Sequence, residues 1–272
     1  MNTPSLKYFK FRDYTCEHDD FSDIDFDFDY NGYSFYSDDM PKLEEMEVDS
    51  TYLDTEKFVS LITYVMRLSL CLPDQAEKAL YREGIVLSQL RHLKLCSCTI
   101  NWSKLLVLFL KDSPNLQELV VHLTNALYRE GIVLSQLRHL KLCSCTINWS
   151  KLLVLFLKDS PNLQELVVHL TNDHTDICED PPVCWENQLN CVPGCLLSSL
   201  GTFKWIGIYG SQKELDLVKF VLRNACCLKT ATILFRSWDS ALEEDELEMV
   251  MQDLSLSSRG SKDVKLVFVL SI

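Results

Sequence analysis

The residue pattern most suggestive of chemistry lies in an acidic insert, residues 16–40. Asp27 begins the sequence Asp-x-Asp-x-Asn-Gly, and Asp38 occupies the twelfth position counted from it. EF-hand calcium loops begin in this way, but their twelfth residue is normally Glu and amphipathic helices flank them. Asn31-Gly32 is also the favoured two-residue hairpin turn, and the residues before it alternate between aromatic and acidic. We therefore expect a hairpin or mobile acidic loop here, with calcium binding as the alternative.

Cysteine is abundant, with 12 residues in the chain, and offers a second set of potential ligands. Reduced thiols fit the spacing of this set better than a zinc site, because the set contains no Cys-x-x-Cys pair. The candidate ligands are Cys178, Cys184, Cys191 and Cys195. Other cysteines lie inside apolar segments and are expected to be small buried thiols rather than parts of a disulfide framework. They include Cys71, Cys96 and Cys143.

Histidines flank the predicted strands and offer a third set: His92, His122, His139 and His169. A ladder of metal ligands on the protein surface is one hypothesis. Solvent-exposed strand-edge residues are the simpler interpretation, because the sequence places no fixed carboxylate or Cys-x-x-Cys companion beside them. We predict no bound metal and no cofactor.

Motifs for catalysis are missing from the sequence. It contains no G-x-S-x-G, no phosphate-binding loop, no dinucleotide fingerprint and no H-E-x-x-H. We therefore predict that the chain is not an enzyme and that it acts through a binding surface.

The elements that must position these residues belong to a repeat. Residues 79–125 and 126–172 are the same 47 residues twice, without a single difference. Each copy contains the pattern L-x-x-L-x-L/V twice, and successive units between Leu43 and Leu163 begin 21 to 26 residues apart. Leucine-rich repeats run roughly 20 to 29 residues, so this spacing predicts a leucine-rich-repeat solenoid.

Local patterns within each unit define its strand and its return segment. The second and third apolar residues of the pattern are two apart and therefore point to one face of a short strand. Residues 101–111 predict a helix that Asn101 or Ser103 caps and Ser113-Pro114 ends. The predicted fold class is therefore α/β, a solenoid of short parallel strands with helical returns. A 47-residue copy adds two whole units and keeps the strands in phase.

Composition restricts the class of partner. The chain has 26 Lys+Arg against 39 Asp+Glu and a formal net charge of −13, which disfavours a nucleic-acid partner. The amino terminus has no apolar region of the length that a secretory signal needs, and no apolar run is long enough to span a bilayer. We expect an intracellular protein, in the cytoplasm or the nucleus, without a membrane partner.

The carboxy-terminal third predicts one more unit of the same kind. Ser211-x-x-Glu214 is a capping box that opens a helix from about Gln212 to Asn224. Strands are expected near 202–206 and 230–235 on either side of it. A further helix near 243–254 and a final strand at 265–270 complete the prediction.

This region also carries a specific resemblance. It contains Trp185, Val192-Pro193-x-Cys195-Leu196, Leu200-x-x-Phe203-x-Trp205 and the block from Leu222 to Leu228. These motifs closely resemble the FBD domain of plant F-box/leucine-rich-repeat proteins, and the upstream repeats are similar to the region that precedes FBD in that family. The resemblance implies an FBD domain that continues and closes the stack. The implied organisation is repeats at 1–172, a linker at 173–184 and FBD at 185–272.

The resemblance also implies a function. Members of the family usually begin with an F-box, which docks on a Skp-type adaptor of a cullin-based ligase. No segment of this sequence matches an F-box, so recruitment of the adaptor and cullin is in question. The implied function is a non-enzymatic protein-interaction module resembling the target-selecting half of an SCF-type ubiquitin-ligase receptor. The alternatives are a truncated or non-functional family fragment without independent activity, and a calcium-binding protein.

Polar residues between the repeat leucines are the predicted contacts with a protein target, whose identity the sequence does not define. Their phase places them on the strand-lined face, opposite the leucines. The candidates are Arg91, His92, Lys94, Gln117, Glu118, Arg138, His139, Lys141, Gln164 and Glu165, with Val120 and Val167 in the same phase.

Overall fold

The structure is a computed structural model that describes residues 6–12, 42–49, 62–71, 86–97, 102–123, 132–144, 149–170, 191–208, 210–235 and 244–270. The acidic insert, with its calcium and hairpin alternatives, and the predicted linker lie outside these residues. The chain divides into two compact units, Met1–Leu116 and Gln117–Ile272. The domain boundaries expected from the sequence stay predictions.

Among its described residues, the first unit has four short strands that pair in chain order, all parallel. They are β1 (Tyr8–Arg12), β2 (Glu45–Asp49), β3 (Arg67–Cys71) and β4 (His92–Ser97). Helix α1 (Trp102–Asp112) follows β4. It ends directly before Ser113-Pro114, the stop that the sequence predicts. Apolar residues of adjacent strands lie side by side, with Met46 paired to Leu68 and Leu68 to Leu93. This register stacks one leucine layer directly on the next.

The described part of the second unit has six parallel strands, again paired in chain order. They are β5 (Glu118–Leu123), β6 (His139–Ser144), β7 (Glu165–Leu170), β8 (Thr202–Ile208), β9 (Thr230–Phe235) and β10 (Lys265–Leu270). The helices are α2 (Trp149–Asp159), α3 (Gly194–Ser198), α4 (Gln212–Asn224) and α5 (Glu244–Leu256). The strands of the predicted FBD region thus continue the sheet of the repeats, and this prediction is confirmed.

The core consists of the inward-facing apolar residues and one side of each helix. Leu140, Leu142, Leu166 and Val168 are at most 1% exposed, and α2 packs Leu153, Phe156 and Leu157 at 0% exposure. Burying a large apolar side chain contributes roughly 1.5 to 3 kcal/mol, so this layer is the main source of cohesion. In β8, Phe203 and Trp205 continue the layer with an edge-to-face contact at 6.3 Å between ring centroids.

Contacts in the two copies of the duplication repeat one another. Asn115 donates its side-chain amide to Ser88 O at 2.8 Å, and Asn162 does the same to Ser135 O at 2.9 Å. The backbone N–H of Leu87 bonds to Asp112 O, and its copy Leu134 bonds to Asp159 O. Identical sequence therefore folds into identical strand-entry turns, which confirms that the copy spans whole repeat units.

Two glycines shape the start of the FBD strand-helix unit. Gly207 lies in β8 at a register shift between Ile206 and Ile208 and has φ 76°, a conformation that side chains with a Cβ rarely adopt. Gly210, with φ 81°, precedes the cap of α4. This bulge is the reason that β8 extends to Ile208, two residues beyond its predicted end. The predicted bounds of α4, β9 and β10 are confirmed.

Candidate functional site

The strand residues that alternate with the core layer form a second surface, which we call the open face. In the second unit it has three rows in register. The first row is Glu118, His139, Glu165, Thr202, Thr230 and Lys265; the second is Val120, Lys141, Val167, Lys204, Thr232 and Val267; the third is His122, Cys143, His169, Ile206, Leu234 and Val269. Nearly all of these residues are partly or fully exposed, whereas their inward neighbours in β5 to β9 are buried.

The open face of the first unit follows the same alternation. Its first two rows are Tyr8, Glu45, Arg67, His92 and Lys10, Glu47, Ser69, Lys94. Lys94 is exposed although it stands between Leu93 and Leu95, which are 1% and 5% exposed. The strand period of two residues therefore separates a polar face from the core within three consecutive positions.

Charges on the first unit pair along the sheet. Lys10 Nζ lies 2.8 Å from Glu47 Oε2, and the Tyr8 hydroxyl donates to the same oxygen at 3.1 Å. Lys7 Nζ lies 2.9 Å from Glu44 Oε1, a hydrogen bond that raises the pKa of the lysine. Exposed pairs of this kind contribute little to stability, so these side chains can exchange partners with an approaching protein.

His139 corrects one premise of the sequence analysis. The interpretation of the histidines as solvent-exposed strand-edge residues assumes that no fixed carboxylate accompanies them. In the structure Glu165 of β7 is the register partner of His139 in β6, and Oε2 lies 2.9 Å from Nδ1. Sequence spacing could not show this pair because the two residues are 26 positions apart and only parallel pairing brings them together. The pair is half exposed and forms part of the open face.

The predicted partner-binding residues lie at strand starts or on the open face. Glu118, His139, Lys141 and Glu165 share the open face of the second unit. Arg138 and Gln164 precede β6 and β7, and the carbonyl of Arg138 accepts the backbone N–H groups of Gln164 and Glu165. Gln117 precedes β5 in the second unit, while Arg91, His92 and Lys94 lie at β4 in the first. Their role in binding stays a prediction.

The cysteine expectation is correct for Cys143 and wrong for two others. Cys143 is 3% exposed, and its sulfur lies 4.0 Å from Nδ1 of His169. All three cysteines stand one residue after an inward leucine and so point to the open face. Cys71 and Cys96 are register partners and are only half-buried, whereas Cys143 lies between His122 and His169 and is buried. The neighbouring strands therefore decide the exposure of each thiol.

The two described members of the candidate zinc set differ in solvent exposure. Cys195 is completely buried and donates its thiol to Leu157 O at 3.4 Å, whereas Cys191 is exposed. Cys178 and Cys184 lie outside the described residues. Within the described part of the chain, His, Cys, Asp and Glu side chains do not gather into a group of three that could hold a metal ion.

Residues of β8 to β10 on the open face were missed by the sequence analysis. The structure extends the polar rows into the FBD strands through Thr202, Lys204, Thr230, Thr232 and Lys265. The signal that could have found the first two is the L-x-x-F-x-W pattern at Leu200, which has the same phase as the repeats. Among the described helices, none has the length and apolar character needed to cross a bilayer.

A stack of parallel strands with helical returns, a buried leucine layer and a polar open face defines a leucine-rich-repeat protein. Comparison with known families agrees. The LRR repeats of the FBD-associated F-box protein At5g56370 match residues 40–183, and FBD matches residues 187–233. The chain belongs to the family of plant FBD-associated F-box proteins with leucine-rich repeats.

Individual relatives match 80% or more of the chain. The F-box/FBD/LRR-repeat protein At4g00315 of Arabidopsis thaliana is 40% identical over 269 residues, 98% of this chain and 49% of the relative. The Arabidopsis F-box/LRR-repeat protein At4g15060 is 43% identical over 219 residues, 80% of this chain and 39% of the relative. The Arabidopsis F-box/FBD/LRR-repeat protein At5g56420 is 32% identical over 240 residues, 88% of this chain and 44% of the relative. The chain thus spans half the length of these relatives or less.

Proposed function

We propose that the chain is a non-enzymatic protein-interaction module whose open face binds a target protein. The observation that carries the proposal is the row of aligned polar side chains that includes Glu118, His139 and Glu165. Parallel strands hold these side chains about 4.8 Å apart on a backbone that the leucine layer makes rigid. A preorganised surface of this kind loses little conformational entropy on binding.

We further propose that this module acts as the target-selecting half of an SCF-type ubiquitin-ligase receptor. Family membership supports a role in protein interaction, and the names of the relatives combine F-box with the repeats seen here. In such receptors the F-box joins the Skp-type adaptor and cullin, while repeats select the target. The polar rows of the open face supply the selecting surface in this proposal.

The first experiment is affinity purification of the tagged chain from plant extract under reducing conditions, with mass spectrometry of the proteins that co-purify. A specific partner together with a Skp-type adaptor and cullin would support both proposals. A specific partner without them would support the interaction module and count against the ligase role. Recovery of chaperones alone would contradict both.

Charge reversal then tests the surface. Lys94 and Lys141 are the two copies of one position, and Lys141 lies in the second row of the open face. Because charge complementarity steers association, we expect the double variant K94E/K141E to weaken target binding by about tenfold or more. The matched control is K111E/K158E, since Lys111 and Lys158 are exposed at the ends of α1 and α2 and thus outside the open face. If the test variant and the control bound the target with equal affinity, Lys94 and Lys141 would not contact the target.

A further inference from the structure

Two thiols stand side by side on the open face of the first unit. Cys71 in β3 and Cys96 in β4 are register partners on adjacent parallel strands. Neighbouring strands are about 4.8 Å apart, which lies within the range of Cα separations that a disulfide can span, roughly 4.4 to 6.8 Å. Both residues follow an inward leucine, so both side chains leave the sheet on the same face. Both are half-buried thiols, which leaves them accessible to a small oxidant.

The surroundings activate one member of the pair. A hydrogen bond from the Cys71 thiol is the largest cause that lowers the pKa of Cys96, to about 7. Burial opposes this shift, the positive charge of Lys94 on the same strand supports it, and Asp49 on β2 opposes it. A thiol that is about half ionised at neutral pH and has a second thiol as its register partner is the arrangement of a redox-responsive cysteine and its resolving partner.

We infer that Cys71 and Cys96 form a redox-responsive dithiol that a hydroperoxide converts into a disulfide between β3 and β4. The Cys96 thiolate attacks one peroxide oxygen, the O–O bond breaks, and the leaving oxygen takes a proton to become water or an alcohol. Cys96 is then a sulfenic acid. The Cys71 sulfur loses its proton and attacks the Cys96 sulfur, the S–O bond breaks, and water leaves. Two thiols lose two electrons and two protons, and the hydroperoxide gains them.

The duplication supplies a matched control inside the same chain. Cys143 occupies in β6 the position that Cys96 occupies in β4, within the identical strand sequence HLKLCS. Its register partners are His122 and His169 rather than a cysteine, and it is 3% exposed. Local sequence is therefore the same at both sites, while the neighbouring strand differs. The proposal predicts a disulfide at the first site and a retained thiol at the second, independently of any target protein.

The test is oxidation of the reduced full-length chain with stoichiometric hydrogen peroxide, followed by blocking with N-ethylmaleimide and mass spectrometry of a non-reduced tryptic digest. The expected product links peptide 68–78, which contains Cys71, to peptide LCSCTINWSK. This second peptide arises from both 95–104 and 142–151, so variants must identify its source. The link should form in the unaltered chain, in C143S and in C98S, and it should be lost in C96S.

A link that persists in C96S, or that is lost in C143S while C143S folds normally by circular dichroism, would overturn the proposal. So would oxidation of Cys96 to sulfinic acid with Cys71 still a thiol. A second measurement follows iodoacetamide labelling of Cys96 at pH 7. The lowered pKa increases the thiolate fraction about 50-fold over a thiol of pKa 9, and lower nucleophilicity reduces the gain to roughly sixfold. In C71A, which removes the hydrogen-bond donor, the labelling should slow severalfold, and an unchanged rate would count against activation by Cys71.

Discussion

Glu214 makes the stability of the carboxy-terminal region depend on pH. Its side chain lies in the first turn of α4 and is only 3% exposed. Oε2 accepts the backbone N–H of Ser211 at 2.9 Å and its hydroxyl at 2.8 Å, which is the glutamate half of the predicted capping box. Burial nevertheless raises the pKa of Glu214 from 4.5 to about 7, while the bonds from Ser211 and from the backbone of Gly210 act in the opposite direction.

The sign of the effect follows from proton binding. Between pH 4.5 and about 7 the folded state binds more protons at this site than the unfolded state, so the free energy of unfolding falls as the pH rises. The stabilising contribution of protonated Glu214 is complete below pH 4.5, the pKa in the unfolded state, and is lost above about pH 7, the pKa in the folded state. A shift of this size corresponds to about 3 kcal/mol over the whole window, and to about 2 to 3 kcal/mol between pH 5 and pH 8.

Urea denaturation of the full-length chain and of E214Q, each at pH 5 and at pH 8, measures the contribution of Glu214 to the free energy of unfolding. Glutamine also suits the third helical position of a capping box and carries no charge, so E214Q should be insensitive to the titration. The unaltered chain should lose about 2 to 3 kcal/mol relative to E214Q between pH 5 and pH 8. S211A, which removes one donor to the carboxylate, should move the transition to higher pH. A difference between the chain and E214Q that is constant with pH, or that grows in the opposite direction, would refute the reasoning.

Two further predictions concern the same region. The backbone N–H of Gly260 donates to Leu222 O at 2.8 Å. A Cβ added at Gly260 would lie 2.7 Å from the backbone oxygen of Arg223. We therefore expect G260A to lower the free energy of unfolding by about 1 to 3 kcal/mol. G194A is the matched control, because a Cβ on Gly194 meets nothing within 4 Å, and equal destabilisation of both variants in urea melts would contradict the packing argument. Burial raises the pKa of Cys195 to about 12, so brief N-ethylmaleimide treatment should leave it unmodified while the exposed Cys226 and Cys227 react. Peptide mass spectrometry checks this, and modification of Cys195 at the rate of Cys226 in the native chain would show that its site opens readily.

Short-range patterns explain why most elements could be predicted. The L-x-x-L-x-L/V units locate the strands, since a period of two residues sets which side chains enter the core. The box Ser211-x-x-Glu214 locates α4 because a cap requires its donors and acceptors within three residues. The end of β8 could not be placed, because the bulge at Gly207 depends on pairing with β9. Backbone geometry at that point is a property of two strands together.

Properties of individual side chains depended on the neighbouring strand. The sequence of β4 and β6 is identical, yet Cys96 is half-buried beside Cys71 while Cys143 is buried beside His169. The same limit applies to His139, whose carboxylate neighbour Glu165 is reached only through parallel pairing. Residues with the same local sequence therefore differ in exposure and hydrogen bonding.

The amino-acid sequence by itself determined the repeat, its phase, the parallel strand-helix class and the alternation that turns side chains of the repeat strands away from the core. These features arise from periodicities of a few residues and from the roughly 20- to 29-residue spacing of the leucines, all of which are local in the chain. Only the tertiary structure decided which outward residues become neighbours, how far the open face extends into the FBD strands, and which thiol faces another. Register between strands 20 or more residues apart sets these relations, because stacking of the leucine layer aligns side chains that no local pattern connects.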